Sequence, residues 1–190
     1  MDVADIFKNE VFRPVVVTVI PGATALVPYL FLIDHYFPGF VALRTGNEII
    51  AFTLMTLAII ATGMVLEDVG SNIEMKIWAR ITRNSTAEQK EWETYLRTHF
   101  EKPPAGVEYL RDIVMRMKFE NSFAPALLLM SLGLMLLWWM GYVRSGCPIW
   151  VAIAVAVVLA FYLVRESFKG AKLLISVRRQ IITSVNIPSP

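Results

Sequence analysis

Cysteine and histidine are nearly absent from this chain. It holds one cysteine, Cys147, and two histidines, His35 and His99, among 190 residues. A single thiol allows no intrachain disulfide. Two distant histidines, with no HExxH pattern and no paired-His cluster, give a metal hydrolase little to work with. No catalytic motif stands out, and no cofactor or metal site is expected. Charge is sparse too: only 18% of residues are Asp, Glu, Lys or Arg, and the net charge of +2 is too small to argue for direct nucleic-acid binding. The opening run Met1-Asp2-Val3-Ala4-Asp5 lacks the basic region and cleavage site of a secretory signal. The first apolar stretch is therefore expected to be retained. Cys147, between Gly146 and Pro148, is expected in a short turn near a membrane face. A redox or intersubunit role for it has no support in the sequence.

What the chain has instead is hydrophobic length. Four stretches are free of charge: Pro14–Ile33, Ile49–Leu66, Asn121–Val143 and Ser145–Val164. Each has about 18–23 residues, the length that crosses a hydrocarbon core of about 30 Å. Four such stretches cannot all be hidden inside a soluble domain of this size. The expected fold class is all-α integral membrane, with four transmembrane helices, a cytoplasmic helical hairpin and helical extensions. The expected organisation is a first transmembrane pair over 1–66, a helical insert over 67–120, a second pair over 121–164 and a basic tail over 165–190.

Orientation follows from the basic residues. Sixteen of the eighteen Lys and Arg residues fall before the first stretch, in the insert or in the tail, and only Arg44 and Arg144 lie on the other side. The positive-inside rule places both termini and the insert in the cytoplasm. The basic tail is also placed to meet anionic lipid headgroups.

The helices are expected to outlast the membrane. Val69, Ile73, Ile77 and Ile81 form one apolar helical stripe, which carries the second span to about Arg83. Ser85-Thr86-Ala87-Glu88 is a capping-box pattern that opens a helix running to about Phe100. Lys102-Pro103-Pro104-Ala105-Gly106 is a turn. A further helix then runs from about Val107 into the third span, with Leu110, Val114 and Met117 on its inner face and Ile113 beside them. Leu174, Ile175, Ile181, Ile182 and Val185 extend the fourth span through the tail, with Lys172, Arg178 and Arg179 elsewhere around the turn. Apolar stripes on these extensions must be covered, and association of subunits into a closed homo-oligomer is the expectation. Among the insert's charges, Glu74 with Arg80 and Asp112 with Arg116 are candidate weak ion pairs, most simply read as a solvated face.

The strongest candidate site residues lie where spans meet the cytoplasm. They are Glu67, Asp68 and Glu74 after span two, Arg116, Lys118, Glu120 and Asn121 at the start of span three, and Arg165, Glu166 and Lys169 after span four. Two readings stay open for them. They lock the helices together, or they form a cation-attracting ring at a pore mouth built from several copies. Span one carries prolines every seventh residue, and Pro21, Gly22 and Pro28 are expected to kink it against a neighbour, with Ala23 and Ala25 permitting close approach. Trp92, Leu96 and Phe100 share one face of the hairpin and are candidate partner-binding residues. Trp138 and Trp139, with Tyr36, Phe37 and Phe40, read as an outer aromatic belt.

The run Leu66-Glu67-Asp68-Val69-Gly70-Ser71-Asn72-Ile73-Glu74 and the run Arg116-Met117-Lys118-Phe119-Glu120 are accompanied by Trp92, Tyr95-Leu96-Arg97 and Glu108-Tyr109-Leu110-Arg111. This pattern resembles an uncharacterised family of small bacterial four-span membrane proteins. The resemblance covers about half the chain, and implies a bacterial inner-membrane location and no particular activity. The architecture, though no residue motif, is similar to membrane subunits of anti-phage systems such as Kiwa. The leading functional expectation is an oligomeric membrane sensor or channel-like protein, coupled to its cytoplasmic helices, in bacterial stress or phage defence. The alternatives are a membrane-embedded enzyme using Glu67, Asp68, Glu74 and Glu120, or an anchor recruiting a soluble cytoplasmic partner. Membrane lipids and further copies of the chain are the other expected partners.

Overall fold

The computed structural model describes residues 15–36, 39, 46–81, 105–142 and 146–185, and shows no strand among them. The helix α1 spans Ile20–Tyr36 and is entered through a π-helical turn, Val15–Val19. It is followed by α2, Glu48–Ile81, α3, Ala105–Trp139, and α4, Gly146–Val185. All four are long and apolar enough to cross a membrane. At 1.5 Å per residue α4 extends about 60 Å, roughly twice the hydrocarbon thickness.

Local sequence sets the helix ends. Asn47 caps α2, its side-chain oxygen accepting from the Ile50 N–H at 3.4 Å. Helix α3 stops at Gly141, whose φ of +73° suits a residue without Cβ. There the Gly141 N–H reaches the Trp138 carbonyl and the Tyr142 N–H reaches the Leu137 carbonyl, the paired bonds of a Schellman motif. Cys147 and Pro148 lie in the first turn of α4, not in a separate turn as expected, because proline is well suited to a helix start. The Cys147 side chain is exposed.

Helix α3 is the hub of the fold: it packs on α1, α2 and most extensively on α4, whose contact with α2 is slight. Glycines set how closely the helices approach. Any Cβ on Gly22 would collide with the Ile59 carbonyl, and any on Gly63 with the Thr18 carbonyl, so α1 and α2 cross backbone against backbone. Gly70 seats α2 on the Asn121–Ser122 peptide of α3, Gly133 receives Pro28, and Gly170 receives the Met117 side chain. Pairings of Met117 with Gly170 and Gly106 with Ile181 run α3 and α4 antiparallel. Small residues at crossings are how helices gain contact where water supplies no driving force.

Where a kink was expected in α1, the structure has a π-helical turn followed by a continuous helix that runs through Pro28. Pro21 has no N–H to give the Val17 carbonyl, and the backbone just before it is π-helical. Pro21, Gly22 and Pro28 are all buried on the face turned to the bundle. Ala25 joins Leu66 and Ala126 in one small core, and Ala124, Leu127, Ala156 and Ala160 form another between α3 and α4.

The helical extensions bury their stripe within one chain. Ile77, Leu110, Ile113, Met117, Ala171, Leu174 and Ile181 form a core joined by Ile73 and Ile81. This removes the stripe as a reason for subunits to associate. Two details differ from expectation. Val69, at the membrane end of the stripe, is exposed, and Arg178 is buried. The hairpin helix, with Trp92, Leu96 and Phe100, lies outside the described residues.

In their most apolar windows α2 and α4 have only 17% of residues buried. The remaining faces carry Phe52, Leu57, Val155, Val158 and Phe161 outward. Soluble monomers rarely expose apolar patches beyond a few hundred Å². An apolar solvent is what such surfaces require. Of the expected aromatic belt, Tyr36, Trp138 and Trp139 are exposed at one end, where His35 stacks edge-on with Tyr36 and Tyr142, and Trp138 with Trp150, while Phe37 and Phe40 lie outside the described residues. A cavity of about 510 Å³ opens near the same end, lined by Leu30, Phe52 and Met55 with Asp34 and Glu48 at hand.

Candidate functional site

The charge-free segments end and the charged extensions begin at one level of the bundle, and the polar side chains that face inward collect there. Helix α3 contributes Arg116 and Glu120, one turn apart, and α4 contributes Glu166 and Lys169. The Arg116 Nε donates to Glu120 Oε1 at 2.8 Å, and its terminal nitrogen lies 3.5 Å from Glu166 Oε2. Lys169 Nζ binds the other oxygen of Glu166 at 2.5 Å. Two carboxylates and two bases thus form a chain bridging α3 and α4. Glu120 is buried, with 4% of its surface exposed, whereas the Arg116 side chain is 65% exposed. The guanidinium carries the charge of Glu120 out toward water, which is how a carboxylate survives at such a position.

Other expected members of this network stand apart. Glu67 is half-buried and accepts a hydrogen bond from the Thr18 hydroxyl at 3.3 Å, tying α2 to the π-helical turn of α1. Asp68 is exposed, and its main-chain carbonyl, not its carboxylate, accepts from Asn72. Glu74 is half-buried and makes no ion pair with Arg80, nor does Asp112 with Arg116. For Asp112 the reason is geometric: Arg116 is already drawn one turn ahead, to Glu120, and across to Glu166. Lys118 is half-buried and its carbonyl holds the Ser122 hydroxyl. Arg165 is exposed beside Glu166. Of the expected residues, Arg116, Glu120 and Glu166 join with Lys169 in an ion-pair chain on α3 and α4, Lys118 and Arg165 stand on the same helices outside it, and Glu67, Asp68 and Glu74 form a separate set on α2.

Behind the ion-pair chain lies a buried polar layer. Asn121 is 1% exposed and Ser167 is fully buried. Neither the amide oxygen and nitrogen of Asn121 nor the Ser167 hydroxyl has a protein hydrogen-bond partner. Asn121 sits where Gly70 brings the α2 backbone against it. A buried polar group left unmatched costs about 1–3 kcal/mol. Asn121→Leu, similar in shape and without polar atoms, is therefore expected to raise the thermal unfolding temperature of the detergent-solubilised protein. A fall on that substitution would show that the amide is bonded in the working state.

Sequence reasoning located the level of the site and several of its charges. It missed Thr18, the seat at Gly70 and the pairing of Asn121 with a backbone crossing. Ser167 left no signal, since a lone serine after a charged pair is common. Glycines at 63 and 70, seven apart on one helix, were the legible hint of a close crossing.

Among the described residues no group of three His, Cys, Asp or Glu side chains is placed to hold a metal ion. The fold and this junction together define the class: an all-α bundle of four membrane-length helices, three of which continue into a charged helical extension. Comparison with protein-family models, with curated proteins and with solved structures finds no match. The resemblances drawn from the residue pattern and the architecture thus rest on the sequence alone.

Proposed function

We propose that this chain is a sensor of the bacterial inner membrane, assembled from several copies, that receives a signal on its cytoplasmic helices and passes it to its spans. The observation that carries the reading is continuity. Helices α2, α3 and α4 run without interruption from the charge-free segments through the junction into the core of Ile77, Leu110 and Leu174. A packed helix moves as a rigid rod, so a change of packing at one end is delivered to the other. Packed interfaces shift between discrete arrangements, which turns a small displacement into a switch. The distribution of basic residues supports cytoplasmic termini. Outward apolar faces in the spans leave room for contacts between copies as well as with lipid. The architectural likeness to anti-phage membrane subunits supplies a setting, bacterial stress or phage defence.

A channel-like output would draw on Glu67. It is a half-buried carboxylate with a hydroxyl partner and no ion pair, whereas Glu120 and Glu166 are neutralised by Arg116 and Lys169. A catalytic site built from Glu67, Asp68, Glu74 and Glu120 has less support, because Glu120 is joined to Arg116 and not to the other three.

The native thiol tests the reading. Cys147 lies at the far end of α4 from the extension. A membrane-impermeant maleimide added to right-side-out vesicles is expected to label it without permeabilisation. Loosening the extension with Ile77→Ala is expected to change the labelling rate, while an exposed control, Met75→Ala, leaves it unchanged. An equal rate in both variants would contradict transmission, and labelling only after permeabilisation would reverse the orientation.

A further inference from the structure

The outward face of α4 changes character within a single turn. One row along it reads Val151, Val158, Arg165 and Lys172, each seven residues from the last, and all four side chains are exposed. The adjacent row reads Val155, Tyr162 and Lys169, again exposed. Positions seven apart lie nearly above one another on an α-helix. The same two rows therefore turn from apolar to cationic between Tyr162 and Arg165, about 5 Å along the axis. Just before the switch, Val158 is 68% and Phe161 is 71% exposed, which is a lipid-facing surface. Just after it the same face carries Arg165, Lys169 and Lys172.

A neighbouring helix adds to this face. Arg116 of α3 reaches Glu166, and Glu166 also holds Lys169. With its side chain only 14% exposed, Glu166 acts as a bracket that sets two largely exposed cationic groups on either side of itself. Glu120 and Glu166 offset part of the positive charge, yet Arg116, Arg165, Lys169 and Lys172 outnumber them. Tyr162 lies at the rim, an amphipathic ring at the level where such rings favour the membrane interface.

We infer that this face is a binding site for the phosphate headgroup of an anionic phospholipid, with the acyl chains along Val155, Val158 and Phe161 and the phosphate between Arg165 and Lys169, aided by Arg116. Continuity of the two rows selects the lipid over a soluble anion: the apolar half of the ligand has its surface directly below the cationic half. This inference goes beyond the sensor reading and does not depend on it. Arginine suits the role because its planar fork matches phosphate oxygens in pairs.

The test is native mass spectrometry of the full chain in a mild detergent, titrated separately with phosphatidylglycerol, phosphatidylcholine and inorganic phosphate. Phosphatidylglycerol is expected to bind at least about tenfold more tightly than phosphatidylcholine. Arg165→Gln with Lys169→Gln removes that preference, whereas the charge-preserving Arg165→Lys with Lys169→Arg retains most of it. Unfolding temperatures of both double variants identify any loss due to misfolding, and Lys172→Gln, on the same exposed row as Arg165, supplies a milder version with a smaller loss of preference. Equal affinity for the two lipids, or a preference untouched by the charge-removing pair in a folded protein, would overturn the inference. Displacement of phosphatidylglycerol by millimolar inorganic phosphate would overturn the choice of lipid as the ligand.

Discussion

Gly63→Val is expected to separate α1 from α2. The Gly63 position has no room for a Cβ: it would meet the Thr18 carbonyl carbon at 2.7 Å and the Thr18 methyl at 2.8 Å, with the carbonyl oxygen nearer still. The carbonyl carbon and oxygen are backbone atoms, which cannot step aside alone. The whole of α1 must move out, and with it go the reciprocal seat at Gly22 and the hydrogen bond from Thr18 to Glu67. Overpacking of this kind costs about 1–3 kcal/mol, and more where backbones touch. For a chain of this length that corresponds to a fall in unfolding temperature of about 6–12 °C at the upper end. Gly46→Ala is the control, because a Cβ there meets nothing within 4 Å. Thermal unfolding of the two purified variants in one detergent checks both expectations. A Gly63→Val protein that melts with the wild type would mean that α1 and α2 do not cross at this point.

Arg116→Ala leaves Glu120 buried with no base, and loses the contact to Glu166 at the same time. Removal of one member of such a pair costs about 2–4 kcal/mol, less than for a fully buried pair because Arg116 is largely exposed and screened. Replacing both partners is a different experiment. Arg116→Met with Glu120→Leu removes the stranded charge and substitutes apolar contacts, so most of the lost stability should return. The double-mutant cycle on unfolding temperature reads the coupling directly. Additive losses, with the double variant the least stable of the set, would remove the ion-pair chain from the forces that join α3 to α4.

The helical spans were legible because hydrocarbon imposes a length and an absence of charge that few other environments demand. The extensions were legible for a related reason: Ile77, Leu110, Met117 and Leu174 repeat at helical spacing, and they are the residues that meet in the core. What periodicity could not give was the partner. The same stripe serves a second subunit or a neighbouring helix, and only the crossing at Gly70 and the antiparallel pairing of Met117 with Gly170 decide that it is covered within the chain. The charges show the same division. Arg116 and Glu120 are one helical turn apart, so their pairing was readable, while the reach of Arg116 across to Glu166 depends on where α4 lies. Glu67 seemed to belong with them by depth alone, and its hydroxyl partner on α1 depended on a helix crossing that spacing does not encode.

Mechanical continuity of α2, α3 and α4 through the junction is the feature on which the sensor reading stands, and hydrogen–deuterium exchange in lipid nanodiscs measures it most directly. Peptides covering Met64–Trp78, Val114–Phe123 and Leu163–Ala171 are expected to exchange as slowly as those from the middle of the same spans, since no break in the helical hydrogen bonds separates the two. Exchange within seconds at the junction, with the spans still protected, would reveal a hinge there. It would contradict a rigid connection between the helical extensions and the spans.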